Sequence, residues 1–144
     1  MKKLTVLVSL ILTLAFNGHR TQATALTTYD ISSPNGRIQV KIQTGERITY
    51  DVLVAGKSVI QNSTLSIDID HKTLGLNPVV KADKTSSVDR EIISPVPIKS
   101  TKIREAYKEL RLELEGNYAI VFRAYNEGFA YRIETTVAQS QVKV

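Results

Sequence analysis

After its first 25 residues, most of this chain alternates apolar and polar positions one by one. Side chains on a strand point to opposite faces in turn, so a period of two marks a ribbon with one oily face and one wet face. Ile38, Val40 and Ile42 alternate with Arg37, Gln39, Lys41 and Gln43. Thr44-Gly45-Glu46-Arg47 then turns the chain, and Ile48, Tyr50, Val52 and Val54 share the next face. Together these predict a hairpin, with a further turn at Ala55-Gly56-Lys57-Ser58. Leu65, Ile67 and Ile69 continue the alternation. Gly75 and Asn77-Pro78 mark residues 71–78 as a loop. Residues 79–84 and 87–93 read as two weaker strands. Ser94-Pro95-Val96-Pro97 is excluded from any central strand, because two prolines remove two ladder donors. No helical period of useful length appears after residue 25.

The sharpest pattern runs from Tyr107 to Thr135, with Ile103–Tyr107 as its lead-in. Leu110, Leu112 and Leu114 alternate with Arg111, Glu113 and Glu115. Ile120, Phe122 and Ala124 share one face of the next strand, opposite Ala119, Val121, Arg123 and Tyr125. That second face is not fully polar, which predicts that it too is covered. Phe129, Tyr131 and Ile133 stand opposite Ala130, Arg132 and Glu134. Gly116-Asn117 and a three-residue Asn126-Glu127-Gly128 supply the turns. Such a meander needs a second sheet to cover its apolar face. The expected fold is all-β, an antiparallel β-sandwich.

The start of the chain reads as an export signal. Lys2 and Lys3 precede the apolar run Leu4–Phe16, and Ala23-Thr24-Ala25 offers a cleavage site. Cleavage is expected after Ala25, with Ala23 as the alternative, which divides the chain into a signal peptide (1–25) and one domain (26–144). No cysteine follows the apolar run, so lipid attachment is excluded, and no membrane contact is expected after cleavage. The formal charge of +5 shrinks accordingly. Three of the 19 basic residues lie in residues 1–25 and none of the 14 acids does, leaving +2. The remaining charges alternate in sign along strands, as on a solvated face. No clustered basic stripe indicates nucleic acid. A domain of this size builds a core without disulfides, and a bacterial periplasm suits it.

The segments IREAYKELRLEL and FRAYNEGFAYRIE, preceded by ISSPNGRIQVKI and ITYDVLVAGKSVI, resemble the amino-terminal domain of glycoside hydrolase family 97. The resemblance runs from Tyr29 to Thr135 in the family's order. The family contains secreted bacterial α-glucosidases and α-galactosidases. It implies that this domain is part of a β-super-sandwich, that a (β/α)8 barrel with the catalytic carboxylates follows it, and that calcium is a cofactor of some full-length members. It also implies that the tail from Val137 to Val144 falls inside a larger domain, so that the domain is expected to be incomplete. Either a retaining or an inverting outcome occurs in the family, set by the barrel.

No catalytic or metal-binding residue is assigned within this chain. Glycoside hydrolysis needs two carboxylates flanking the scissile bond, and Glu113 and Glu115 read as surface acids beside Arg111. Asp68, Asp70 and His71 fall short of the oxygen count calcium takes. The lone histidine beyond residue 25 has no triad spacing. Residues 62–64 match a glycosylation acceptor by chance. Arg123, Tyr125, Asn126, Glu127 and Arg132, with Tyr131 beside them, are the candidates for contact with a carbohydrate or a neighbouring domain, because arginine and aromatic side chains serve both. The expected partner is the catalytic barrel in cis, with an α-linked oligosaccharide as a second partner. The chain by itself is expected to be inactive, its role being to support the barrel and the substrate mouth. The rival class is a free-standing periplasmic carbohydrate-binding or adhesion module.

Overall fold

The alternating positions become strands that pair in sequence order. A computed structural model describes residues 26–69, 71–95 and 101–136 and contains ten strands there. The expected export signal in residues 1–25, Asp70, the segment 96–100 and the tail from Val137 lie outside the described residues. β1 (Thr27–Ser32), β2 (Ile38–Thr44), β3 (Ile48–Val54) and β4 (Lys57–Leu65) form one sheet in the order β1-β2-β3-β4. β5 (Ile67–Ile69) and β6 (Lys72–Leu74) form a small hairpin. β7 (Val80–Ile93), β8 (Lys102–Leu114), β9 (Tyr118–Tyr125) and β10 (Phe129–Thr135) form the second sheet, in the order β10-β9-β8-β7. Every pairing is antiparallel.

The two sheets pack face to face, with β1 over β8 and β9, and β2 over β9. Ile31, Val40, Ile42, Ile48, Val52 and Leu65 from one sheet meet Leu110, Leu112, Leu114, Ile120, Phe122 and Ala124 from the other. Apart from Ile31, these are the positions that the period of two assigned to one face. Each large side chain so buried contributes roughly 1.5–3 kcal/mol. The fold is thus the all-β antiparallel sandwich expected from the sequence.

Four local expectations are corrected. The Leu65–Ile69 alternation is not one strand: Leu65 pairs with Ile48, whereas Ile67–Ile69 leave the sheet to pair with β6. β6 lies within the segment expected to be a loop. The cause is Gly75, whose backbone passes so close to β4 that a Cβ there would stand 2.4 Å from the Leu65 carbonyl oxygen. At φ +91° this glycine folds the chain back, and Leu74 joins the core. The turn after β3 needs only Ala55 and Gly56, at φ 50° and 77°. Positive φ at both central residues suits the twist of a two-residue hairpin, so Lys57 and Ser58 already belong to β4. The Asn126–Gly128 turn falls between β9 and β10 as expected, and the Tyr125 amide donates to the Gly128 carbonyl across it at 2.8 Å. Finally, the two weak strands around Thr85-Ser86-Ser87 are one strand, β7, which pairs along its length with β8.

β8 pairs with β9 only from Tyr107 onward. Residues 102–106 therefore pair with Asp89–Ile93 alone and project as a two-stranded arm, about 17 Å long at the usual rise per residue.

Candidate functional site

The outward face of the second sheet carries an alternating grid of charges over a few apolar residues. Register places Val121 of β9 between Arg111 of β8 and Arg132 of β10, and places Ala119 between Glu113 and Glu134. Arg111 bonds both Glu134 and Glu113, and Arg132 Nε donates to the other Glu134 oxygen at 2.7 Å. Val121 is only 1% exposed although it lies on the outward face. The aliphatic stems of the two flanking arginines account for that cover. The sequence-based expectation of a covered second face is met here from within the sheet. The bond from Arg111 holds the Glu134 carboxyl below the usual carboxylate range, with a smaller contribution from Arg132, against a desolvation cost.

One strand position along, Arg123 stands opposite Glu109 and donates to it at 2.7 Å. Its guanidinium also lies over the Tyr107 ring, 4.4 Å from the centroid. Burial pulls the Arg123 pKa down, but bonds to Tyr125 and Glu109 outweigh it and hold the group firmly charged. Tyr125 packs on Tyr107 with ring centroids 5.1 Å apart. Arg123, Glu109, Tyr107 and Tyr125 thus form one locked cluster.

The β9–β10 turn is fixed from the other sheet. Asn126 Oδ1 accepts the Asn35 amide at 3.0 Å. Asn35 is itself held in the β1–β2 turn, where its Oδ1 accepts from the Ser33 hydroxyl and the Arg37 amide. Glu127 occupies the tip of the turn and forms no ion pair among the described residues. Tyr125, Asn126 and Glu127 line one wall of an open groove of about 460 Å³, and Ile92, Ile103, Arg104, Glu105 and Ala106 of the arm line the other.

Three of the five candidates from the sequence therefore share one groove. Arg123 is their immediate neighbour. Arg132 lies apart, bonded to Glu134 beside a second concavity of about 390 Å³ lined by Lys81, Arg111, Glu113, Asn117 and Tyr118. Tyr131 points to the inner face but is 46% exposed at the edge of the sandwich, where its ring meets Tyr50 and Phe129. Sequence reasoning missed Asn35, Glu109 and the arm isoleucines. A two-residue Gly116-Asn117 turn, as expected from the sequence, would pair Glu109 with Ala124; the turn takes in Glu115 as well, so Leu114 pairs with Tyr118 and Glu109 with Arg123.

The groove offers one free carboxylate rather than a facing pair. Among the described residues, no three His, Cys, Asp or Glu side chains gather where they could hold a metal ion. Asp68 is occupied by the Thr73 hydroxyl, which donates to it at 2.6 Å. The described residues do not fit a calcium site.

Comparison with known proteins gives a consistent picture. The family model for the glycosyl-hydrolase 97 N-terminal domain matches residues 31–144. A retaining α-galactosidase of Bacteroides thetaiotaomicron is 33% identical over 134 residues, spanning 92% of this chain and 19% of that protein. Among solved structures, a glycoside hydrolase family 97 enzyme from Pseudoalteromonas sp. strain K8, in complex with acarbose, matches with a TM-score of 0.66 and 20% identity, over 74% of this chain and 17% of its own. A β-arabinopyranosidase matches with a TM-score of 0.69 and 19% identity, over 78% and 18%. Likeness at these identities concerns the fold. The chain spans about a fifth of the length of the relatives it matches.

Proposed function

Because the chain belongs to the glycosyl-hydrolase 97 N-terminal family, we propose that it is the non-catalytic amino-terminal sandwich of an exported α-glycosidase. Its work is to support a (β/α)8 catalytic barrel and to shape the mouth through which an α-linked sugar enters. The observation that carries this reading is a family match across residues 31–144 joined to a relative of which the chain spans only 19%. The α-galactosidase relative favours α-galactosides over α-glucosides as the substrates of the whole enzyme. Calcium, where the enzyme uses it, belongs to the catalytic part. The periplasm is the expected location, reached through cleavage after Ala25 or Ala23.

The geometry supports a structural rather than a chemical role. Glu109, Glu113 and Glu134 are each paired with arginine. A glycosidase general acid needs a raised pKa so that it still holds a proton near neutrality. Arginine pairing pushes Glu134 the opposite way. The cross-strand ladder fixes these acids in a rigid sheet instead of placing two of them across a cleft.

An assay of the purified 144-residue chain on aryl α-galactosides and α-glucosides tests this. No hydrolysis above buffer background is expected. Turnover that disappears in Glu127→Gln would overturn the reading.

A further inference from the structure

We propose that the β7–β8 arm and the groove beside it are the seat on which this domain holds the remaining four fifths of the full-length enzyme. The proposal rests on reading the chain as the front of a longer glycosidase, and it specifies where that assembly is made.

Two features converge on the arm. A two-stranded ribbon that extends past its sheet is marginal in water, and this one exposes Ile92, Ile93 and Ile103 at 39%, 73% and 51%. Ile92 and Ile103 are direct cross-strand partners, so they form one apolar strip. The acidic and basic side chains of the arm answer one another: Arg90 with Glu105, Arg104 with Asp89, and Lys102 with Glu91. Exposed pairs of this kind contribute little stability, so they do not explain why the arm stands away from the sandwich. Burial of the isoleucine strip against a partner does.

The opposite wall of the groove says what that partner carries. Glu127 has no cation among the described residues. The groove thus pairs an apolar strip with one unneutralised carboxylate. Its complement is a protein surface with an apolar side chain next to a lysine or arginine. A sugar fits less well, because Tyr125, the aromatic residue of the lining, packs its ring on Tyr107. Aliphatic walls bury side chains rather than stack on sugar rings. The relatives carry about four fifths of their length outside the matched stretch, which supplies a partner large enough to cover the arm.

The test uses an intact enzyme in which this chain replaces the matched fifth of the Bacteroides α-galactosidase. A photo-reactive benzoylphenylalanine is placed at Ile103, or at the exposed Val59 of β4 as a control. After irradiation, the probe at Ile103 should be joined to peptides of the galactosidase part, and the probe at Val59 should not. In addition, Ile92→Ser with Ile103→Ser should lower the Tm of the spliced enzyme by several degrees. The same pair of changes should leave the 144-residue chain within about 2 °C of its own Tm. Glu127→Lys should also lower the Tm of the spliced enzyme. An active spliced enzyme whose Ile103 probe reaches only its own domain, or a second copy, overturns the docking surface and leaves the supporting role standing. A spliced enzyme without α-galactosidase activity counts instead against the supporting role.

Discussion

Arg123 and Glu109 meet because the β8–β9 register puts them directly opposite on the outward face, so a property visible one residue at a time becomes a cross-strand bond. The same rule sets the cost of single changes. Leu112 and Phe122 are fully buried between the sheets, and truncating either to alanine should cost roughly 2–5 kcal/mol. Glu113 points outward beside Arg111, and Glu113→Ala should stay within about 0.5 kcal/mol. Circular dichroism melts of the three variants check this, and equal damage from Glu113→Ala and Leu112→Ala would mean that the two faces are exchanged. Tyr118 accepts the buried Gly75 amide at 3.3 Å. Tyr118→Phe leaves that donor unsatisfied, and a loss of about 1–3 kcal/mol is expected in urea unfolding. Glu134 supplies the pH dependence. Its folded-state pKa is depressed by Arg111, so its contribution is present above the ordinary carboxylate value of about 4.3 and is lost as pH falls through the lower folded-state value. Unfolding curves of Glu134→Gln should therefore show a shallower acid loss than the parent below about pH 4.3, and identical slopes would remove Arg111–Glu134 from the account. At this scale most inward residues were legible from alternation alone, with Leu74 and Ile31 among the exceptions. Tyr131 shows its limit: the period gives the direction of a side chain, not whether anything lies above it, and at the β10 edge its ring remains half exposed.

Strands were legible where packing on one side forces alternation, as in β2, β3 and β8. They were illegible where no such pressure acts. β4 and β7 are edge strands with mostly exposed side chains, so their sequences need not alternate, and β7 hid its middle behind Thr85-Ser86-Ser87. The β5–β6 hairpin was missed because its signal is a single close approach at Gly75, which reads in sequence as any turn glycine. The arm was missed for a related reason: β8 shows no break in sequence where β9 stops beside it. The ladder also gives a directional forecast for β10. Tyr125 bonds Gly128, and the Thr136 amide donates to the Asn117 carbonyl. Alternation between these pairs turns the amide of Arg132 toward β9 and that of Thr135 toward the open edge. Proline removes one donor, and an edge position facing solvent tolerates that. Arg132→Pro should therefore destabilise by about 2 kcal/mol or more beyond Arg132→Ala, whereas Thr135→Pro should cost clearly less. Comparable losses for the two prolines would place the ladder one residue out.

For the whole molecule, the fold and the family came through because the resemblance ran in order across most of the domain. The candidate site came through in part. Tyr125, Asn126 and Glu127 were named as turn and strand-end residues, but the wall that faces them comes from an arm about 20 residues upstream that carries no motif. That wall is defined by topology, and topology is what a single sequence conveys least. The central claim is that this sandwich is the front of a longer glycosidase. The most direct measurement is to sequence the genomic DNA past the Val144 codon. The expected result is a continuation, in frame or displaced by a frameshift, that encodes a (β/α)8 barrel with its catalytic carboxylates. A stop codon followed by unrelated sequence would contradict it.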